Sequence, residues 1–143
     1  YELSDGRKGV VQALGNAFGN LHAPPYIQLD GDDRTGSVIA GETMSINLVP
    51  GRFRRILIFA FIYDGAPNWA AADGVVTLNP VQGPQIEVRL DATSGQARSC
   101  AIAQLIDNGG DLVVQREVQY INGGQSKIDA AYNWGMDWSP GRK

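Results

Sequence analysis

The chain holds one cysteine and one histidine among its 143 residues. A single thiol forms no intrachain disulfide, so the sequence fits a reducing compartment and a cytoplasmic location is expected. Cys100 sits in the apolar stretch Cys100-Ala101-Ile102-Ala103 and reads as a small buried hydrophobe. His22 stands alone, which leaves no multi-histidine zinc site and makes a catalytic triad hard to assemble. Positive charge is sparse as well. Twelve basic residues face 15 acidic ones, for a net charge of −3. The basic residues are scattered, and the short cluster Arg52, Arg54 and Arg55 leads into an apolar segment. Nucleic acid needs a concentrated basic face, so no nucleic-acid partner is expected. Long apolar runs are missing. The longest, residues 56–63, is far too short to cross a bilayer as a helix. No signal-peptide pattern opens the chain. It begins at Tyr1 on polar residues, which suggests one domain of a longer protein. Enzyme signatures are lacking too: there is no phosphate-binding loop, dinucleotide fingerprint or nucleophile elbow. No pair of carboxylates is singled out for acid and base work. A non-enzymatic protein is expected.

What is present is an ordinary globular composition, 43% hydrophobic and 19% charged, at a length that supports one domain with a proper core. Residues 5–19 are expected to form a short helix. Ser4 or Asp5 can cap it, and Val10, Val11, Leu14 and Phe18 fall near helical spacing. His22-Ala23-Pro24-Pro25 then stops the helix and forces extended chain. From residue 26 onward the punctuation is that of β structure. Strands are expected over 26–29, 43–48, 53–63, 75–78, 86–90, 99–106 and 112–121. The nearly continuous apolar run at 53–63 predicts a central strand. Asn108-Gly109-Gly110 supplies the positive φ angles of a tight hairpin turn. A closing helix is expected over 126–134, capped by Ser126, with Ile128, Ala131 and Tyr132 on one side and Trp134 and Trp138 packing the tail. The resulting expectation is an all-β fold, a two-sheet β-sandwich with short flanking helices at the N- and C-termini. Residues 1–25 form a helix and proline-containing link, and 26–143 form the sandwich.

The densest chemistry lies in Asp30-Gly31-Asp32-Asp33-Arg34-Thr35-Gly36. Three carboxylates, a hydroxyl and two glycines within seven residues could gather the oxygen ligands that a hard cation such as Ca²⁺ requires. The same run would also serve as a solvated acidic turn. Glu42, after Gly41, could swing back across a hairpin. The spacing is not that of an EF-hand, which alternates its acids and closes on a twelfth-position glutamate. A second candidate is Asp64, at the end of the central strand in Tyr63-Asp64-Gly65-Ala66-Pro67-Asn68-Trp69. It reads equally as a ligand or as a turn-forming aspartate bonded to its own backbone. Asn68 could offer an amide oxygen, Trp69 is expected to pack, and Asp73-Gly74 reads as a turn.

In order along the chain, these pieces resemble the TerD-like domain of bacterial tellurium-resistance and stress-response proteins. The resemblance rests on Gly31-Asp32-Asp33-Arg34-Thr35-Gly36, then Gly41-Glu42, an alternating strand, and the segment from Phe53 that ends on Asp64. Val10-Val11-Gln12-Ala13-Leu14-Gly15 and Ala131-Tyr132-Asn133-Trp134-Gly135 look most like the TerA-type branch. The resemblance covers most of the chain. It implies a β-sandwich that binds Ca²⁺, with Asp32 and Asp33 as primary ligands, Glu42 and Asp64 supporting, and Asp30 and Thr35 as further candidates. The family's second acidic run is eroded, since Gly41-Glu42-Thr43-Met44 keeps one acid, and its early Asp-x-Asp-Ala-Ser strand has no counterpart. One ion is therefore expected rather than two. A metal-free protein-interaction domain stays open as the alternative. The partners implied are a calcium ion, other stress-resistance proteins and the inner face of the membrane by peripheral association.

Overall fold

The computed structural model describes residues 1–32 and 41–139. Among these the fold is all-β. The strands are β1 (Glu2–Leu3), β2 (Gly19–Asn20), β3 (Ile27–Leu29), β4 (Met44–Ile46), β5 (Phe53–Phe61), β6 (Gly74–Leu78), β7 (Ile86–Leu90), β8 (Ser99–Asn108) and β9 (Asp111–Ile121). Two short helices, α1 (Trp69–Ala72) and α2 (Gln125–Tyr132), complete the described elements, with a 3-10 turn at Leu14–Asn16. The hydrogen-bonded ladders run β1-β5-β8-β9, β2-β3-β4 and β6-β7.

By its contacts the chain divides into two units. The first comprises Tyr1–Ile56 and Leu105–Val113, and the second Leu57–Gln104 and Val114–Trp138. In the first unit, β3 pairs antiparallel with β4 in the register Ile27↔Ile46, Gln28↔Ser45, Leu29↔Met44. Ile27 and Leu29 are buried and Gln28 is exposed, the alternation of a half-buried strand. In the second unit, Val88 and Leu90 of β7 join Cys100, Ile102, Ile62 and Trp69 in one apolar cluster. Trp69 also satisfies its indole, whose Nε1 donates to the carbonyl of Ala97 at 2.7 Å. The run from Ser99 to Ala103 is at most 2% exposed.

The helix expected at residues 5–19 does not form. The chain turns back instead, with Leu3 N donating to Arg7 O at 2.8 Å and Gln12 N to Ala17 O at 2.8 Å around the 3-10 turn. Backbone conformation explains this. Gly19 has φ +75°, and a Cβ there would collide with the carbonyl oxygen of Ile27. Gly19 thus serves a close β2–β3 pairing, in register with Gln28, rather than the end of a helix. Residues 1–25 contribute β1 and β2 to sheets, with Leu3 opposite Phe53.

Elsewhere the differences are local. The closing helix spans Gln125–Tyr132, and its N-cap is Gly124 without a side-chain cap, so Ser126 does not fill that role. Ile128 is buried as expected, whereas Ala131 is exposed. Trp134 is 5% exposed, and Trp138 Nε1 donates to Asp129 Oδ2 at 2.8 Å. Asp129 also accepts from the backbone N–H groups of Gly135 and Met136, which fixes the segment after α2. The expected interior strand is β5, paired between β1 and β8, although most of its length from Leu57 onward is half-buried.

Candidate metal-binding hairpin

The acidic run lies in the connection between β3 and β4. Asp30 follows β3 directly, and its backbone N–H donates to Thr43 O at 3.0 Å. Its carboxylate Oδ1 in turn accepts from Thr43 N at 2.9 Å. This reciprocal pair extends the ladder one step past Leu29↔Met44 and closes the neck of the hairpin. Asp32 stands two residues beyond the neck on one arm, and Glu42 one residue beyond it on the other. A residue spans at most about 3.5 Å, so both carboxylates are held close to the neck by chain length alone. Gly41, at φ +68°, turns the second arm. Asp30, Asp32 and Glu42 are all exposed. Asp33 and Thr35 lie outside the described residues. Among the described residues, no three histidine, cysteine, aspartate or glutamate side chains converge as a metal-binding group.

The donor chemistry fits a hard cation. Carboxylate oxygens and backbone carbonyls suit Ca²⁺ or Mg²⁺, and the loop offers no imidazole or thiolate to favour zinc or copper. Asp30 is the qualified member of the set. One of its oxygens already holds the neck together, so its contribution is first structural.

Asp64 belongs to the second unit, three residues past the end of β5. It is exposed, and its Oδ1 accepts from the N–H of Gly65 at 2.8 Å, with Gly65 at φ +89°. That is the local side-chain-to-backbone bond of a turn-forming aspartate. Asn68, considered as an oxygen donor, is the N-cap of α1. Its Oδ1 accepts from Ala71 N at 2.8 Å, and its Nδ2 donates to Thr93 O at 3.1 Å. Asp73 closes the same helix in a left-handed conformation, its N–H donating to Trp69 O at 3.1 Å, so the expected turn is a helix cap.

One arrangement escaped the sequence. The guanidinium of Arg52 lies 3.7 Å from the ring centroid of Tyr26, and its Nη1 donates to Asn47 O at 2.9 Å. Tyr26 and Arg52 border a groove of about 320 Å³ in the first unit. Tyr26 and Arg52 are 26 positions apart, and only the fold brings them together.

No family model matches the chain, and no solved structure matches it. A tellurium resistance protein TerA from an Alcaligenes species is 50% identical over 146 residues, an alignment that takes in 99% of this chain. The chain spans 42% of that relative's length. Identity of one residue in two over such a span marks common descent. Over nearly its whole length the chain is a homologue of this part of that TerA protein.

Proposed function

We propose that the chain is a non-enzymatic, calcium-binding module of a tellurium-resistance protein. The observation that carries this reading is the hairpin neck. The Asp30–Thr43 pair places Asp32 and Glu42 on opposing arms of a loop whose sequence also includes Asp33 and Thr35. Ca²⁺ bound among them would neutralise mutual carboxylate repulsion and cross-link the two arms. The relative's name supports the resistance role, and the resemblance of the loop to the family's calcium motif supports the ion. Ligand charge is modest, so affinity is expected at the weak end of protein calcium sites, on the order of 10⁻⁴–10⁻³ M. Asp64 is the remaining ligand candidate. Coupling of calcium level to partner proteins or to a membrane surface, from a cytoplasmic location, completes the reading. No helix among the described residues is long and apolar enough to span a bilayer.

Calorimetric titration with Ca²⁺ tests it, alongside thermal unfolding with and without the ion. The native chain should give saturable heat and a raised unfolding temperature, and Asp32→Ala should lose both. Asp64→Asn in the same titration decides whether that carboxylate participates. Absence of heat and of any thermal shift in millimolar calcium sinks the metal claim. That outcome would favour the second reading, a metal-free interaction domain. The specific observation behind this alternative is that Asp30 spends a carboxylate oxygen on the Thr43 backbone.

A further inference from the structure

From the groove in the first unit we infer a binding site for a small oxyanion, with Arg52 as its anchor. The inference is independent of the calcium reading. The groove, about 320 Å³, is bordered by Leu3, Ser4, Asp5, Arg7, Tyr26 and Arg52, with the Val49-Pro50-Gly51 turn closing it. Arg52 is held there by its backbone and its side chain together. Its N–H donates to Val49 O at 3.1 Å, and its carbonyl accepts from Ser4 N at 2.9 Å. The guanidinium stacks on Tyr26, while Nη1 is bonded to Asn47 O. Asn47 N in turn donates to Tyr26 O at 2.9 Å, so both supports of the guanidinium are tied to each other. Tyr26 adopts φ +61°, a conformation that side-chain-bearing residues rarely take and that surrounding structure must enforce.

This ordering leaves chemistry unused. Among the described residues, Nε and Nη2 of Arg52 have no hydrogen-bond partner. A stacked, half-buried guanidinium with an open fork edge is pre-organised for the paired oxygens of a carboxylate or phosphate group. Among the described residues, the one carboxylate on the groove is already engaged. Asp5 accepts from Arg7 N through Oδ1 at 3.0 Å and from Arg7 Nε through Oδ2 at 2.7 Å. Those bonds hold the Asp5 carboxyl below its usual pKa, the backbone bond from Arg7 first. Arg7 keeps its terminal amino groups free of partners among the described residues. With Asp5 against Arg7 and Arg52, the described residues of the groove carry a formal charge of plus one, in a chain whose net charge is −3.

The test is amide chemical-shift mapping with inorganic phosphate and with acetate as separate probes. The first represents a tetrahedral oxyanion and the second the planar carboxylate of a peptide. Tellurite is a third arm, which alone rests on the tellurium role proposed above. At least one of phosphate or acetate should give saturable shifts at Gly51, Arg52 and Tyr26. Arg52→Lys keeps the charge but loses the fork, and should weaken binding by about tenfold, the worth of a hydrogen bond to a charged group. Asp5→Asn, which removes the competing carboxylate without touching Arg52, should tighten binding. Thermal unfolding of both variants separates a lost site from a lost fold. The inference is overturned if phosphate and acetate give no saturable shifts, if shifts appear away from the groove, or if folded Arg52→Lys binds as the native chain does.

Discussion

Single residues show most directly how the fold reassigns what composition suggests. Asn68 carries an amide oxygen in a turn beside a candidate ligand, yet that oxygen is consumed in capping α1. Cys100 keeps its expected role. It is fully buried, and burial pushes its thiol up to about 11 from 9.0. The consequence for stability has a definite sign. Below pH 9 the thiol is protonated in both folded and unfolded chains, and the contribution to stability is intact. Between pH 9 and about 11 the unfolded chain ionises Cys100 while the folded chain resists, so stability falls with rising pH. Cys100→Ala should flatten this part of the stability–pH profile measured by urea unfolding. In the native chain at pH 7.5 the thiol should also resist a soluble disulfide reagent until denaturant is added. Prompt reaction in the folded state would contradict the burial.

At the scale of elements, legibility followed the reach of the forces involved. Strands β5, β7, β8 and β9 were readable because alternation and apolar runs are local signals. The hairpin between β8 and β9 was readable for the same reason. Gly109 and Gly110 have φ +71° and +103°, and Gly110 N donates to Asp107 Oδ1 at 2.9 Å. Gly110→Val should therefore cost about 2 kcal/mol, since the conformation is strained for any residue with a Cβ. Gly109→Asn should be nearly neutral, because asparagine tolerates the left-handed region. Equal effects at the two positions, read by denaturant unfolding, would show that the turn differs from this geometry. The segment 5–19 misled because its apolar spacing is helical while its partners are remote. Gly19 faces Gln28 across a strand pair. Such pairings carry no local signature. The candidate calcium loop was half legible: its carboxylates could be read from the sequence, but the Asp30–Thr43 neck that draws its arms together could not.

For the whole molecule, burial and function predict opposite extremes of backbone stability. The amides of Ser99 to Ala103 sit in residues at most 2% exposed, inside the four-stranded sheet. They should exchange with solvent only on global unfolding and be the slowest in the chain. The amides of Asp30 and Thr43 are bonded to each other's residues in an exposed neck, and should open locally and exchange fast. Calcium offers a way to act on one extreme alone. If the ion cross-links the arms that carry Asp32 and Glu42, it must hold the neck closed. Exchange at Asp30 and Thr43 should slow in proportion to occupancy, by a factor approaching 1 + [Ca²⁺]/Kd. At Ser99 to Ala103 the slowing should track only the gain in global stability, and Asp32→Ala should abolish it at the neck. Calcium-dependent slowing elsewhere, with the neck unchanged, would move the ion away from this hairpin even if calorimetry had shown that the chain binds it.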